Sequence, residues 1–262
     1  MSDFKYLQFD RQGAIATITL NRPAAANGLD TPLVAEFRRA AQLCDADPQL
    51  KVVVLRAAGE RFFSVGGDIK EMLAHGDGVG EALHALADDL HAAIAALLRM
   101  NAVLIVAVNG IAGGAGFSLA LIGDLVLAAE SASFTMAYTR AGLSPDGSST
   151  WLLPRLVGLR RAQELMLTNR TLDAAEAFEF GIVTRVVADA ELQAECERLA
   201  AEVAAGAGLA NAYVKKLLLA GAGNDLQTQL DLEAQLLSQC AASPDGREGI
   251  QAFVDKRKPR FR

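Results

Sequence analysis

Residues 61–72 read RFFSVGGDIKEM, and residues 107–124 read AVNGIAGGAGFSLALIGD. Both stretches share one grammar: an apolar run ends in small residues, and a helix-forming run follows. In the first, Asp68 stands three residues before Glu71, the spacing of a capping box, so a helix starts just after Gly67. The second lies within residues 100–123, which carry no charge and are long enough to span a bilayer. Asn109, Gly110, Gly113, Gly114 and Gly116 interrupt that stretch, and the run before them is β-branched. It therefore reads as a buried strand (Val103–Val108), a glycine-rich turn and a buried helix starting near Gly114, with no membrane span.

Outward from these turns the same alternation continues. Ala14–Leu20 reads as a strand, and Lys51–Ala57 (KVVVLRA) as a strand covered on both faces. Thr31-Pro32 opens a helix, with Thr31 as the expected N-cap and an apolar face of Leu33, Val34, Phe37, Ala41 and Cys44. Residues 79–99 form a helix with the stripe Leu83, Leu86, Leu90, Ile94 and Leu97. Short strands follow at Leu125–Ala128 and Ala132–Met136. From about residue 145 the pattern is helical, at 158–168, 173–180, 189–205, 208–221, 225–241 and 245–257, broken by a strand at Ile182–Val187. The fold class is α/β with an α-helical appendage; a core of residues 1–195 and a helical region of 196–262 are expected.

The 262 residues are 52% hydrophobic and 21% charged, with a net charge of −6. A packed core is expected and disorder is excluded. The acidic balance argues against a nucleic-acid partner. Cys44, Cys196 and Cys240 are far apart and form no CxxC, so a reducing cytoplasm is the expected compartment. The opening MSDFKYLQFD lacks the apolar run of a signal peptide.

Candidate chemistry narrows quickly. His84 and His91 are separated by about 10 Å of helical rise, too far for one metal ion, and lie beside the apolar stripe near Asp88. A surface or half-buried structural role is the expectation for both. No metal site is expected, because HExxH, Cys/His and EF-hand spacings are all missing. The turn at 110–116 departs from the dinucleotide fingerprint at Leu119, and no G-K-[ST] follows. What remains is two turns of small residues, Ser64-Val65-Gly66-Gly67 and Gly113-Gly114-Ala115-Gly116, each leading into a helix with free amide N–H groups. If they converge, two amides hold one oxygen that gains charge, an oxyanion hole. From spacing alone, two ordinary tight turns fit equally well.

The sequence resembles the crotonase, or enoyl-CoA hydratase/isomerase, superfamily. ATITLNRP (16–23), the two glycine turns, AGLSPDGSSTWLLPRLVG (141–158) and EGIQAFVDKRKPRF (248–261) follow one another as that family's motifs do. The resemblance implies a spiral of ββα turns, a C-terminal helical region that makes trimers or hexamers, and an acyl-CoA substrate. CoA arrives as the substrate thioester, and no separate cofactor is expected. By matching position, the amides of Gly67 and Ala115 form the oxyanion hole. The resemblance makes Ser64, Val65, Gly66, Asp68, Ile69, Met72 and Gly114 substrate- or CoA-binding residues, and Phe117, Ser118 and Tyr138 line the acyl pocket with Met72. Ala24 and Ala26 lie in the CoA-contacting segment, where many relatives carry a basic residue just before Asn27. Phe253 and Lys256 match residues that reach a neighbouring subunit's CoA adenine, although a solvated basic tail is the alternative for KRKPRFR.

The family shares enolate stabilisation but not one reaction, so side chains beside the thioester decide it. Hydratases of this family use two glutamates; the matching positions here are Ser118 and Tyr138. The remaining carboxylate is Asp146, in Gly142-Leu143-Ser144-Pro145-Asp146-Gly147. Its ordinary role is turn-former and N-cap. The resemblance to enoyl-CoA isomerases and ring-epoxide phenylacetyl-CoA isomerases makes it the catalytic base, and a similar position is the nucleophile of aroyl-CoA dehalogenases. The expected activity is isomerisation of an enoyl- or ring-acyl-CoA. Hydration of an enoyl-CoA and a non-catalytic acyl-CoA-binding role are the alternatives, with a nucleotide-dependent enzyme more distant.

Overall fold

The computed structural model describes residues 4–262. Ten strands and eleven α-helices follow one another among them. Strands β1 (Leu7–Gln12) and β2 (Ile15–Leu20) precede α1 (Thr31–Ala46). Next come β3 (Val52–Ala57), β4 (Phe62–Ser64), α2 (Ile69–Ala74) and α3 (Val79–Arg99). Then β5 (Val103–Val108), β6 (Ile111–Gly113) and α4 (Ala115–Leu121) lead into β7 (Leu125–Ala129) and β8 (Ser133–Thr135). Helices α5 (Ser149–Val157) and α6 (Leu159–Thr168) precede β9 (Leu172–Asp173), α7 (Ala174–Glu179) and β10 (Arg185–Val187). The chain continues through α8 (Leu192–Ala204), α9 (Gly208–Gly221), α10 (Leu226–Ala242) and α11 (Pro244–Val254).

Two sheets organise the α/β core. The larger has the order β1-β2-β3-β5-β7-β10 and is parallel except for the β1–β2 hairpin. The smaller has the order β4-β6-β8-β9, parallel except at β9. Successive strands therefore alternate between sheets. β3 lies in the large sheet and β4 in the small one before α2 and α3; β5 and β6 repeat this before α4; β7 and β8 repeat it again. This is a spiral of ββα turns. The apolar run of β3 is buried on both faces, as its lack of alternation implies.

The sequence misses β1 and the three-residue strands β4 and β6, which are too short to show a period. It also places helix starts one or two residues off. Asp30, not Thr31, caps α1, its carboxylate accepting from Leu33 N at 3.0 Å. The capping box at Asp68 is only half formed. Asp68 caps Lys70 N and Glu71 N, but Glu71 reaches across to Thr31 N at 3.0 Å and ties α2 to the start of α1. Position 195 falls inside α8, which packs on the large sheet; α9 also touches that sheet at β5, α10 packs on α9, and α11 packs on α10.

One buried ion pair fastens that helical region to the core. Lys215 on α9 donates to Leu97 O (2.8 Å) and Ala102 O (3.2 Å) and lies 2.9 Å from Asp124. Burial pushes the lysine pKa down, and the Asp124 charge opposes that shift. Beyond it, Leu218, Leu226, Leu237 and Phe253 are exposed on the single chain, while Leu236 is buried. Among the described residues, no helix is long and apolar enough to cross a membrane.

Candidate active site

The two glycine turns meet. Gly66 has φ +87°, and a Cβ on it would stand 2.8 Å from Gly113 O and 2.9 Å from Ala115 N. A side chain here would drive the turns apart, which is why the position requires glycine. Gly116 meets the same constraint one turn into α4, where a Cβ would run into the Ser64 backbone. The first turn is laced to Leu29 on both sides of Gly67: Leu29 N donates to Gly66 O at 2.7 Å, and Asp68 N donates to Leu29 O at 3.1 Å. Alternation along an extended segment then aims the Gly67 N–H away from Leu29. Ala115 opens α4, so its N–H has no carbonyl a turn behind it. Among the described residues, neither N–H donates a hydrogen bond. Two unpaired donors on neighbouring turns can hold one oxygen that becomes negative.

The first turn is held by a polar network. Ser64 Oγ donates to Asn27 O at 2.8 Å and accepts from Gly66 N at 3.2 Å, so the Ser64 side chain serves the loop itself. Val65 N donates to Ala26 O at 3.2 Å. Arg22 bridges Asp30 (2.8 Å) and Asp68 (3.1 Å) and also donates to Gly28 O. Burial pushes the Asp68 carboxyl up, but the Arg22 hydrogen bond and the two α2 amides outweigh it, so its pKa lies below the ordinary value. Asp68 is thus occupied inside the protein. Met72 reaches back until its Cε lies where a Gly67 side chain would be. Ile69 and Val65 are exposed beside it, and Ala24 is exposed at the loop's edge.

Asp146 lies beyond the second turn and is gripped at two points. Its carbonyl accepts from Ser118 Oγ (2.8 Å), Ser149 Oγ (2.8 Å) and the Tyr138 hydroxyl (3.3 Å). Ser118 and Tyr138 also contact one another at 3.1 Å. Burial pushes the Tyr138 phenol up to about 12, despite the opposing Ser118 hydrogen bond, so it stays protonated at neutral pH and acts as a donor. The carboxylate has no capping duty, because Ser148 occupies the N-cap of α5. Instead, Asp146 Oδ1 lies 2.7 Å from His91 Nε2.

His91 is half-exposed on α3, as expected, and 55 positions along the chain it meets the candidate base, a pairing that no local pattern in the sequence signals. One expectation needs correction. Phe117 has no exposed surface and stacks obliquely on Phe134 at 5.3 Å, so it belongs to the core rather than to an open pocket wall. The α4 face that carries Ser118 turns towards Asp146, and the face that carries Phe117 turns inward.

Phe253 is 86% exposed at the end of α11, which packs on α10. Lys256 is exposed after it, and the tail is folded back rather than free. Arg257 forms paired contacts with Glu248, and the amides of Arg260 and Arg262 donate to Glu248 and Asp245. No hydrogen bond among the described residues joins this tail to either glycine turn. A cleft of about 890 Å³ lies elsewhere, between the face of β1–β3 bearing Asp10, Thr17 and Arg56 and the α8 side bearing Glu197. Neither Gly67 nor Ala115 lines it.

A family model described as enoyl-CoA hydratase/isomerase matches residues 10–262. A Rhodobacter capsulatus protein named "probable enoyl-CoA hydratase" is 38% identical over 97% of each chain. The Escherichia coli 1,2-epoxyphenylacetyl-CoA isomerase is 36% identical over 94% of each. The crystal structure of an enoyl-CoA hydratase from Bacillus anthracis superposes with a TM-score of 0.92, at 32% identity, covering 98% of this chain and 99% of that one.

Proposed function

The chain belongs to the enoyl-CoA hydratase/isomerase family, and from that premise we propose that it isomerises an enoyl-CoA, or a related ring acyl-CoA, through an enolate held by two backbone amides. The thioester oxygen sits between Gly67 N–H and Ala115 N–H. Asp146 removes the acidic proton from the carbon between the thioester and the double bond. The C–H electron pair forms a double bond to the thioester carbonyl carbon, and the displaced carbonyl π pair collects as negative charge on the oxygen facing the amides. The carboxylic acid so formed returns its proton at the far end of the conjugated system, and Asp146 is regenerated. Proton and electrons balance within the substrate, so the reaction as written calls on no cofactor beyond the CoA carried by the thioester.

The observation that carries this reading is the state of the polar groups beside the turns. Ser118 and Tyr138 spend their hydroxyls on the Asp146 carbonyl, whereas the Asp146 carboxylate is left free of capping. One available base suits a proton shuttle between two carbons. The name of the Rhodobacter relative favours a second reading, in which water beside Asp146 adds across a 2,3 double bond. We further place the protein in the cytoplasm as a trimer or hexamer. The unpaired cysteines and the exposed leucines of α9 and α10 support this, with Phe253 and Lys256 serving a neighbour's CoA.

A 3-enoyl-CoA and crotonyl-CoA, assayed side by side, test the proposal. Migration of the double bond to the 2-position should outrun hydration, and Asp146→Asn should slow it by roughly 100-fold or more. Efficient hydration without isomerisation of any 3-enoyl-CoA would leave the hydratase reading in its place. A protein that binds CoA esters without turning over either would be a binding protein.

A further inference from the structure

The proton shuttle makes no use of His91, yet this imidazole is the one side chain within hydrogen-bond distance of the Asp146 carboxylate among the described residues. We propose that His91 is a positioning residue for Asp146. It holds Oδ1 so that Oδ2 faces the substrate. The inference rests on Asp146 being the base.

The three hydroxyls on the Asp146 carbonyl fix its backbone but leave both side-chain torsions free. The Asp146 side chain is 37% exposed and sits in a loop, so without a partner its carboxylate would sample several rotamers. His91 supplies that partner from a rigid support. It lies on the 21-residue α3 next to Leu90, which is buried, and one turn before Ile94, which packs beside Gly147. The helix is therefore seated against the loop at the point where the imidazole reaches out. An ionised carboxylate only accepts hydrogen bonds, so the ring proton sits on Nε2 and points at Oδ1. That leaves Oδ2 with no hydrogen-bond partner among the described residues.

The pair's exposure separates this role from a structural one. The imidazole is 49% exposed, and ion pairs this open to water add little to stability. Misplacing a reacting group, in contrast, slows the chemical step sharply. Loss of His91 should thus act on turnover rather than on folding or on CoA binding.

His91→Leu removes the donor, whereas His91→Gln keeps an N–H at similar reach. Measured on the 3-enoyl-CoA, His91→Leu should lower kcat by roughly tenfold to a hundredfold. KM and melting temperature should stay at wild-type values, and His91→Gln should recover most of the loss. Wild-type kcat in the leucine variant, a defect confined to KM, or failure of glutamine to restore kcat would each overturn the inference. Asp146→Asn, assayed alongside, separates it from the reading beneath it. An inactive asparagine variant beside a fully active His91→Leu removes only the role of His91, whereas an active asparagine variant removes the base assignment and this inference together.

Discussion

Replacing Lys215 by methionine should unfasten α9 from the core at a cost that its surroundings set. The side chain is 7% exposed and its ammonium serves three oxygens: Asp124 Oδ2 at 2.9 Å, Leu97 O at 2.8 Å and Ala102 O at 3.2 Å. Coulomb attraction across 2.9 Å is about 6 kcal/mol at an effective dielectric of about 20, before desolvation is charged against it. Methionine fills a similar volume, so packing is largely kept and no large cavity opens. The loss comes from what stays behind, a carboxylate and two carbonyls without their donor. Removing one partner of a buried pair costs about 3–5 kcal/mol. The Asp124 side chain is 26% exposed and also accepts from Leu104 N, so water and that amide relieve part of its charge. The lower end, about 3 kcal/mol, is the expected loss. It lowers the melting temperature by roughly 6–12 °C in a chain of this size. Urea unfolding at one fixed protomer concentration measures it, since assembly would make stability concentration-dependent. Lys215→Met with Asp124→Asn should cost less than the sum of the two single changes, because the stranded charge is then gone. A loss under about 1 kcal/mol for Lys215→Met, or strict additivity in the double variant, would refute the buried-pair reasoning.

Ala115→Pro deletes one candidate oxyanion donor at a first helical position that tolerates proline; kcat should fall by roughly a hundredfold or more with the fold retained by circular dichroism, and an unchanged kcat would remove Ala115 from the hole. The Tyr138 phenol should ionise only near pH 12, so an ultraviolet pH titration of Tyr138→Phe should lack a step there that the wild type shows; a missing step at lower pH would contradict the burial argument. Light scattering should give a mass near three or six times 27.6 kDa, and a monomer would leave the exposed leucines of α9 and α10 without their proposed cover.

The residues of the ββα core carry their own instructions. β3 and β5 carry unbroken apolar runs rich in β-branched residues, as strands buried on both faces do. Val79–Arg99 shows its helix through a stripe of period 3.6, and the glycine turns announce a close approach of backbone because no other residue permits it. Gly67, Ala115 and Asp146 could be named as candidates before any coordinates, from the resemblance to the family's motifs, while spacing alone left the two turns open to an ordinary reading. Their neighbours could not. His91 and Asp146 are 55 positions apart, Arg22 and Asp68 46 apart, and Lys215 lies 113 residues from the Ala102 carbonyl it caps. The first two contacts are closed by the spiral, which lays successive turns side by side irrespective of the sequence between them, and the third by α9 packing back onto the core. A local pattern reports how a segment folds against an apolar face, because burial repeats along the chain with the period of the element. It reports nothing about which single polar atom waits on the adjacent turn, because one hydrogen bond leaves no periodic trace. Two features of Asp146 divide on that line: its presence in a Pro-Asp-Gly turn is local, and its freedom from capping, with hydroxyls on its carbonyl and an imidazole on its carboxylate, arises only when α3, α4 and the loop before α5 are packed together.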